Sequence, residues 1–470
     1  MASTNPPDWP QDGLHVAIVG AGITGVNLAL GLLARNVSFT VYERAPGFRE
    51  IGAGIGFSPN AERAMGLLNP DVLAAFKRAA NPNGEDYFQW IDGYRSDELI
   101  FKLYVGKDGF QGGLRSEILE AWAQLLPPGA VRFNKEIDTI SAPPEDNSSS
   151  SSSNRRLRLH FKDGTTATAD AVIGCDGIRS RVRQLLFPTS SSSSSQSPEA
   201  GYTAKFCFRA LAPMPAAMAA LGQSRSMTRF MYNGPGAHII TYPVASNTLL
   251  NILAVISDPS PTWRAHPQRQ QHTAPGSRSE AEAAFRDWHP TARRIVGLLP
   301  DAMDKWAIFD MAARPAPRYI GTAAAATAAA GDGEGWGDRV CVAGDAAHAA
   351  GPHLGAGGGM GIEDALVLSE LLAAVDGKVT GGGTGDGGDE REREKGRWVS
   401  AALEAYNAVL YERTQGVVRA TREACDLFQW KDPAVATDPR QFGDRITALF
   451  HSVWEYDVAG MVEEALAELE

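Results

Sequence analysis

Cysteine is scarce: four in 470 residues, none in CxxC or zinc-type spacing. That argues against a disulfide scaffold and a thiolate metal site. Three of the four lie in apolar strand-like or motif segments, so they are expected to be reduced packing residues in a cytoplasmic protein. Positive charge is not in excess either. Lys and Arg number 44 against 55 Asp and Glu, a net charge of −11, which leaves no basic face for nucleic acid. No charge-free apolar stretch is long enough to span a bilayer; Ala323 to Ala330 is too short and not hydrophobic enough. Asp8 and Asp12 precede the first apolar run without a basic segment, so no signal peptide is expected. No internal repeat and no metal-ligand set is visible.

What is present is punctuation by glycine and acid. At this length two interlocked domains plus a helical terminal part are expected. Polyserine at Ser148–Ser153 and Ser190–Ser195, an alanine tract at Ala323–Ala330 and the glycine-rich Gly381–Gly388 before DEREREK cannot build a core and mark insertions. Between them, His15–Val19 is expected to be a buried strand, Thr24–Ala34 a helix and Ser38–Tyr42 the next strand. Asp163-Gly164 signals a hairpin. Ala171–Gly174 is another buried strand. From Tyr202 to Val255 the pattern changes to β-like runs parted by turns, which implies an antiparallel sheet. Arg339–Gly344 returns to the first fold, followed by a helix over Gly358–Ala374 and another over Ala401–Leu427. The last residues, GMVEEALAELE, suit a short amphipathic helix.

AIVGAGITG places Gly20, Gly22 and Gly25 in GxGxxG spacing after a strand and at the start of a helix. Such glycines permit a tight turn, close approach to a pyrophosphate, and close helix–strand packing, and the helix N-terminus faces the phosphates. Glu43 closes the next strand 18 residues after Gly25, where a carboxylate can hold adenosine ribose hydroxyls; Arg44 follows it. More than three hundred residues later, Gly344-Asp345 ends a second apolar run. Asp345 is placed to accept from a ribityl hydroxyl. Gly355, Gly357, Gly358 and Gly359 let backbone approach a flat ring and start a helix whose N-terminus favours negative charge on a reduced flavin. Together these point to one FAD held at both ends. Asp176-Gly177 follows a buried strand and is either an ordinary turn or part of the same site; Arg179, Arg181 and Arg183 form a solvated face or meet phosphate. His348 and His353 have no identifiable carboxylate or nucleophile partner and are expected to be packing residues.

With GAGITG, CDG and GDAAH in order, and IGAGIGFSPNA (Ile51–Ala61) and GLRSEILEAW (Gly113–Trp122) between them, the chain resembles the class A flavoprotein aromatic hydroxylases, the group of salicylate and para-hydroxybenzoate hydroxylases. Within that group it most resembles fungal phenol-dearomatising enzymes of secondary metabolism. The resemblance covers nearly all of the chain outside the low-complexity loops. It implies a Rossmann-like α/β FAD-binding domain (1–200 and 314–376) interrupted by an antiparallel β-sheet substrate domain (201–313), a disordered loop (377–396) and C-terminal helices (397–470). It implies non-covalent FAD, with Gly54 in the second fingerprint, Arg115 touching the cofactor, the segment at Asp176 and Gly177 serving both FAD and the nicotinamide donor, and Pro352 beside the flavin ring. NADPH or NADH would reduce FAD, and O2 would give a C4a-hydroperoxyflavin that hydroxylates an electron-rich phenol. The chain has no second GxGxxG domain, in keeping with transient docking of the donor.

In the substrate domain, Arg209 and Tyr242 match in order and approximate spacing the pair that holds a phenolate in the fungal enzymes. A guanidinium stabilises an adjacent oxyanion and a phenol donates to it. His238, four residues before Tyr242, shares its strand face. The outcomes left open are plain hydroxylation, decarboxylative hydroxylation of a salicylate, oxidative dearomatisation, and oxygenation of a non-aromatic terpenoid on the same scaffold. A non-catalytic FAD-fold carrier would have no use for the CDG segment. The expected partners are a phenolic small molecule, O2 and NAD(P)H, in a monomer or homodimer.

Overall fold

The structure is a computed structural model that describes residues 13–48, 54–106, 109–142, 156–188, 198–259, 261, 263, 272–322, 336–381 and 388–470. The polyserine and alanine tracts, residues 51–53 of the second fingerprint and most of the glycine-rich tract lie outside them.

Five short parallel strands form the first sheet, in the spatial order Val340–Val342, Ala171–Gly174, His15–Val19, Ser38–Tyr42 and Val131–Arg132. The inner strands are apolar and buried on both faces, as parallel strands covered by helices must be. The helix Ile23–Ala34 packs on this sheet and against the helix Gly357–Gly381. The Asp163-Gly164 turn joins Leu157–Phe161 to Thr166–Ala169 in a separate three-stranded sheet.

An eight-stranded sheet builds the second layer, in the order Thr273–Ser277, Ala302–Asp310, Gly201–Pro213, Leu249–Ser257, Ala237–Val244, Phe230–Gly234, Tyr87–Asp92 and Leu99–Tyr104. Two of these strands come from the chain's first two hundred residues, ahead of the segment 201–313 expected to build the sheet. They arrive with a parallel pairing, Phe230 opposite Gln89, so the sheet is mixed where a wholly antiparallel one was expected. The short run YFQWID carries too little alternation for its partner to be inferred before the fold is known.

The C-terminal part is helical, over Gly388–Phe428, Pro439–Trp454 and Val458–Leu469. The first begins thirteen residues upstream of the expected Ala401, so residues 388–396 of the loop expected to be disordered are helical instead. Lys395 in this stretch is buried and pairs with Asp170 and Glu392, at 3.7 and 3.1 Å. Val458, Met461, Ala465 and Leu469 form the buried stripe of the last helix. No described helix is long and apolar enough to cross a membrane.

Candidate active site

The three glycines of the first turn do three different jobs. Gly20 has φ +105°, and a Cβ there would stand 2.4 Å from the Cys175 carbonyl oxygen. A Cβ on Gly25 would stand 2.0 Å from the Gly20 oxygen, whereas one on Gly22 would meet nothing within 4 Å. Gly20 and Gly25 therefore let the backbone fold on itself, and Gly22 leaves room for something that is not protein. The far motif packs onto this turn. Gly344 has φ +61°, and a Cβ there would stand 2.3 Å from Thr24 Oγ1.

Acids hold both motifs in shape. Glu43 accepts from the Ala21 N–H at 2.8 Å and the Ala45 N–H at 2.7 Å. Asp364 accepts from the Gly344 N–H at 2.6 Å and meets His348 Nε2 at 2.7 Å. This is the carboxylate partner that sequence spacing did not reveal for His348, although IEDA ends the motif itself. Burial opposes charge on His348, but Asp364 outweighs it and raises the imidazole pKa. Asp176 accepts from the Arg181 and Val182 N–H groups, capping the helix Arg181–Leu186, and burial raises its pKa. Arg183 is buried and donates to the Ala346 and Ile178 carbonyls, both at 2.6 Å. It is a strut between the CDG and GDAAH segments. Arg179 is exposed, and Arg181 donates to the Asp138 carbonyl.

Two cavities meet at Gly22, Cys175 and Gly177. One, of about 570 Å³, runs past Gly20, Glu43, Arg44 and Asp176. The other, of about 410 Å³, is lined by Gly54, Arg115, Asp345, Pro352, Gly355, Gly357 and Gly358. Gly357 opens the 25-residue helix and, like Gly22, has open space where a Cβ would be. A long bent ligand with a pyrophosphate at the first turn and a flat ring near Pro352 fits this channel, and FAD has that shape.

The second cavity is roofed by one face of the eight-stranded sheet. Strand alternation and register set that face. Tyr242 pairs with Asn251, Ile240 with Leu253, and Leu253 with Arg209. One step beyond the paired Phe230 and Thr241, Arg229 stands beside Tyr242, with Phe88 on its other side. Phe88, Arg209, Arg229, Ile240, Tyr242, Asn251 and Leu253 all line the cavity. Arg209 and Tyr242 thus line the same cavity. Arg209 is exposed in the cavity, its guanidinium 5.3 Å from the Trp306 ring centroid. Tyr242 is buried against Gly54 and Gly112. Burial pushes its phenol up to about 12, partly opposed by Arg229 and Arg209. It therefore remains a hydrogen-bond donor at ordinary pH.

His238 shares this face but lines neither cavity. It packs against His353 and Phe428, with ring centroids 5.3 and 5.4 Å away. Burial drives the pKa of both histidines down, that of His353 to about 3. His353 lines the cavity and His238 sits against it, so the strand face that His238 shares with Tyr242 does not bring it to the cavity wall. With Cys425 the two histidines form a buried cluster whose nitrogen and sulfur atoms lie within 4.8 Å of one another.

Three walls of the cavity carry no sequence signature. Phe450 comes from the helix Pro439–Trp454, and Phe88 and Phe110 from the first hundred or so residues. Arg229 is the most consequential residue that motif spacing misses.

The chain matches the FAD binding domain family over residues 13–207 and 334–395. It is 44% identical to FAD-dependent monooxygenase orf3 of Aspergillus niger, over 96% of this chain and 96% of that one. Salicylate hydroxylase asL1 of Sarocladium schorii is 38% identical, over 98% of this chain and 92% of its own. A solved salicylate hydroxylase–substrate complex superposes with a TM-score of 0.76 at 26% identity, over 97% of this chain and 98% of that one. The chain belongs to the FAD-dependent monooxygenases, in the class A flavin hydroxylase family with salicylate hydroxylase.

Proposed function

We propose that the enzyme hydroxylates an electron-rich phenolic small molecule, with NADPH or NADH as electron donor and O2 as oxygen source. One observation carries this reading: Arg209 and Tyr242 open into the same cavity as Pro352, Asp345 and Gly357. FAD, when bound, supplies the redox and oxygen chemistry. The protein then has three tasks. Gly22, Glu43 and Arg44 line the channel at the phosphate and ribose end, while Asp345 and Arg115 line it at the ring end. Arg209 and the neutral Tyr242 hold the substrate oxygen as a phenolate, which makes the ring a stronger nucleophile. Phe88, Phe110, Ile240, Leu253 and Phe450 keep water out.

The test is a screen of phenols, salicylates and hydroxybenzaldehydes for stimulated NADPH and NADH consumption, with mass spectrometry of the products. A gain of one oxygen atom in a phenol is the expected result. Loss of CO2 from a salicylate would mark the decarboxylative course. Fast NAD(P)H oxidation that ignores phenols and reduces another protein would sink the proposal.

A further inference from the structure

Among the described residues, Arg229 is a charge without a counter-charge. It is 3% exposed, and its Nε and Nη1 atoms are buried with no hydrogen-bond partner among the described residues. Burial pulls the guanidinium down to about 10, partly opposed by Tyr242. Three rings hold it: Phe110 at 3.8 Å, Tyr242 at 5.2 Å and Phe88 at 5.6 Å from the guanidinium carbon to the centroids. Its backbone N–H donates to Asn83 Oδ1 at 2.9 Å. A buried, unpaired guanidinium is costly, and ring contacts recover only part of that cost. A structural arginine would be expected to have found a carboxylate or carbonyls, as Arg183 has. Arg229 opens into the substrate cavity instead.

Its place on the sheet adds a constraint. The strands of Arg209 and Arg229 are separated by Leu249–Ser257 and Ala237–Val244, so the two backbones lie about 14 Å apart. Tyr242 stands between them. A single phenolate oxygen occupies the Arg209–Tyr242 side and leaves Arg229 unanswered. A ring bearing oxygens at two positions answers both.

We propose that Arg229 is a second cationic pole of this cavity, which selects rings carrying, besides the phenol oxygen, a conjugated acceptor oxygen: that of a carboxylate or a carbonyl. This rests on reading the cavity as a phenol site. The guanidinium donates to that oxygen from the edge that lines the cavity.

Ligand binding without turnover tests it. The FAD-loaded enzyme is titrated with benzoate, benzaldehyde and phenol in the absence of reductant, and binding is followed by the change in flavin absorbance. Tighter binding of benzoate identifies a carboxylate; tighter binding of benzaldehyde identifies a carbonyl. Arg229→Met should weaken the preferred ligand at least tenfold and phenol less than twofold. Arg229→Lys should retain part of the benzoate affinity. The Tm of the Met variant should be no lower than that of wild type, since the substitution removes an unpaired buried cation. Equal loss for phenol, loss of FAD, a lower Tm, or a wild-type enzyme that binds neither acceptor more tightly than phenol would overturn the proposal. If benzoate binding depends on Arg229 but no phenol stimulates NAD(P)H oxidation, the proposed function fails and the cationic pole stands.

Discussion

Arg209 and Tyr242 are expected to contribute unequally because they stabilise the substrate oxygen by different means. Arg209 supplies a full charge, Tyr242 one hydrogen bond. Arg209→Ala should nearly abolish hydroxylated product, with electrons from NAD(P)H diverted to hydrogen peroxide. Tyr242→Phe should lose about 1–3 kcal/mol of transition-state stabilisation. With the Tyr242 phenol raised to about 12, the ratio of wild-type to Tyr242→Phe rates should stay flat from pH 6 to 9. The ratio of product to peroxide in each variant decides the matter, and normal turnover by Arg209→Ala would refute the assignment. Both residues are legible in the sequence because they sit in strand-like runs at family-like spacing. Arg229 is not. In SRSMTRFMY it has the appearance of a loop cation, and only the pairing of Phe230 with Thr241 and Gln89 brings it into the cavity.

The His348–Asp364 pair makes a second residue-scale prediction. The folded-state pKa of His348 is raised above the ordinary 6.5. The pair therefore contributes its full stability below about pH 6.5 and loses it as pH rises through the raised value. The Tm gap between wild type and His348→Gln should be widest near pH 6 and shrink toward pH 9. A gap that widens with pH would reverse the assignment of charge.

At the scale of elements, the first turn and its helix separate folding from ligand binding. Gly20→Ala and Gly25→Ala would drive a methyl group into backbone oxygen, while Gly22→Ala would meet open space. The first two should therefore destabilise the FAD-free protein, by about 1–3 kcal/mol. Gly22→Ala should melt like wild type without FAD yet hold FAD more weakly. Melting curves with and without added FAD distinguish the three; a wild-type affinity in Gly22→Ala would mean that no phosphate passes there. Such turns are legible because each glycine requirement is local. The aromatic wall is not: Phe450 reaches the cavity only through the packing of the C-terminal helices, and Tyr87–Asp92 only through a parallel pairing with a strand about 140 residues away. Periodicity identifies a strand or helix more readily than its neighbour.

At the scale of the molecule, the channel proposed for FAD runs past residues from both halves of a chain folded back on itself. Its two ends depend on acids of different kinds. Glu43 already serves the protein, bracing the turn through Ala21 and Ala45. Asp345 is exposed in the cavity and hydrogen-bonds no described residue. Glu43→Ala should therefore lower the Tm of the FAD-free protein and also weaken FAD binding. Asp345→Ala should leave the FAD-free Tm unchanged and only shrink the rise in Tm that FAD produces, because stabilisation by a ligand follows its affinity. Each loss should be about 1–3 kcal/mol in FAD binding. The double variant should show their sum, since the two acids lie at opposite ends of the channel and share no partner. The FAD should also come free in acid, as no His or Cys stands in a recognisable flavin-linking motif. Full FAD occupancy on dilution in both single variants would show that the cofactor is held by the turns alone, with the acids shaping the protein and not the ligand.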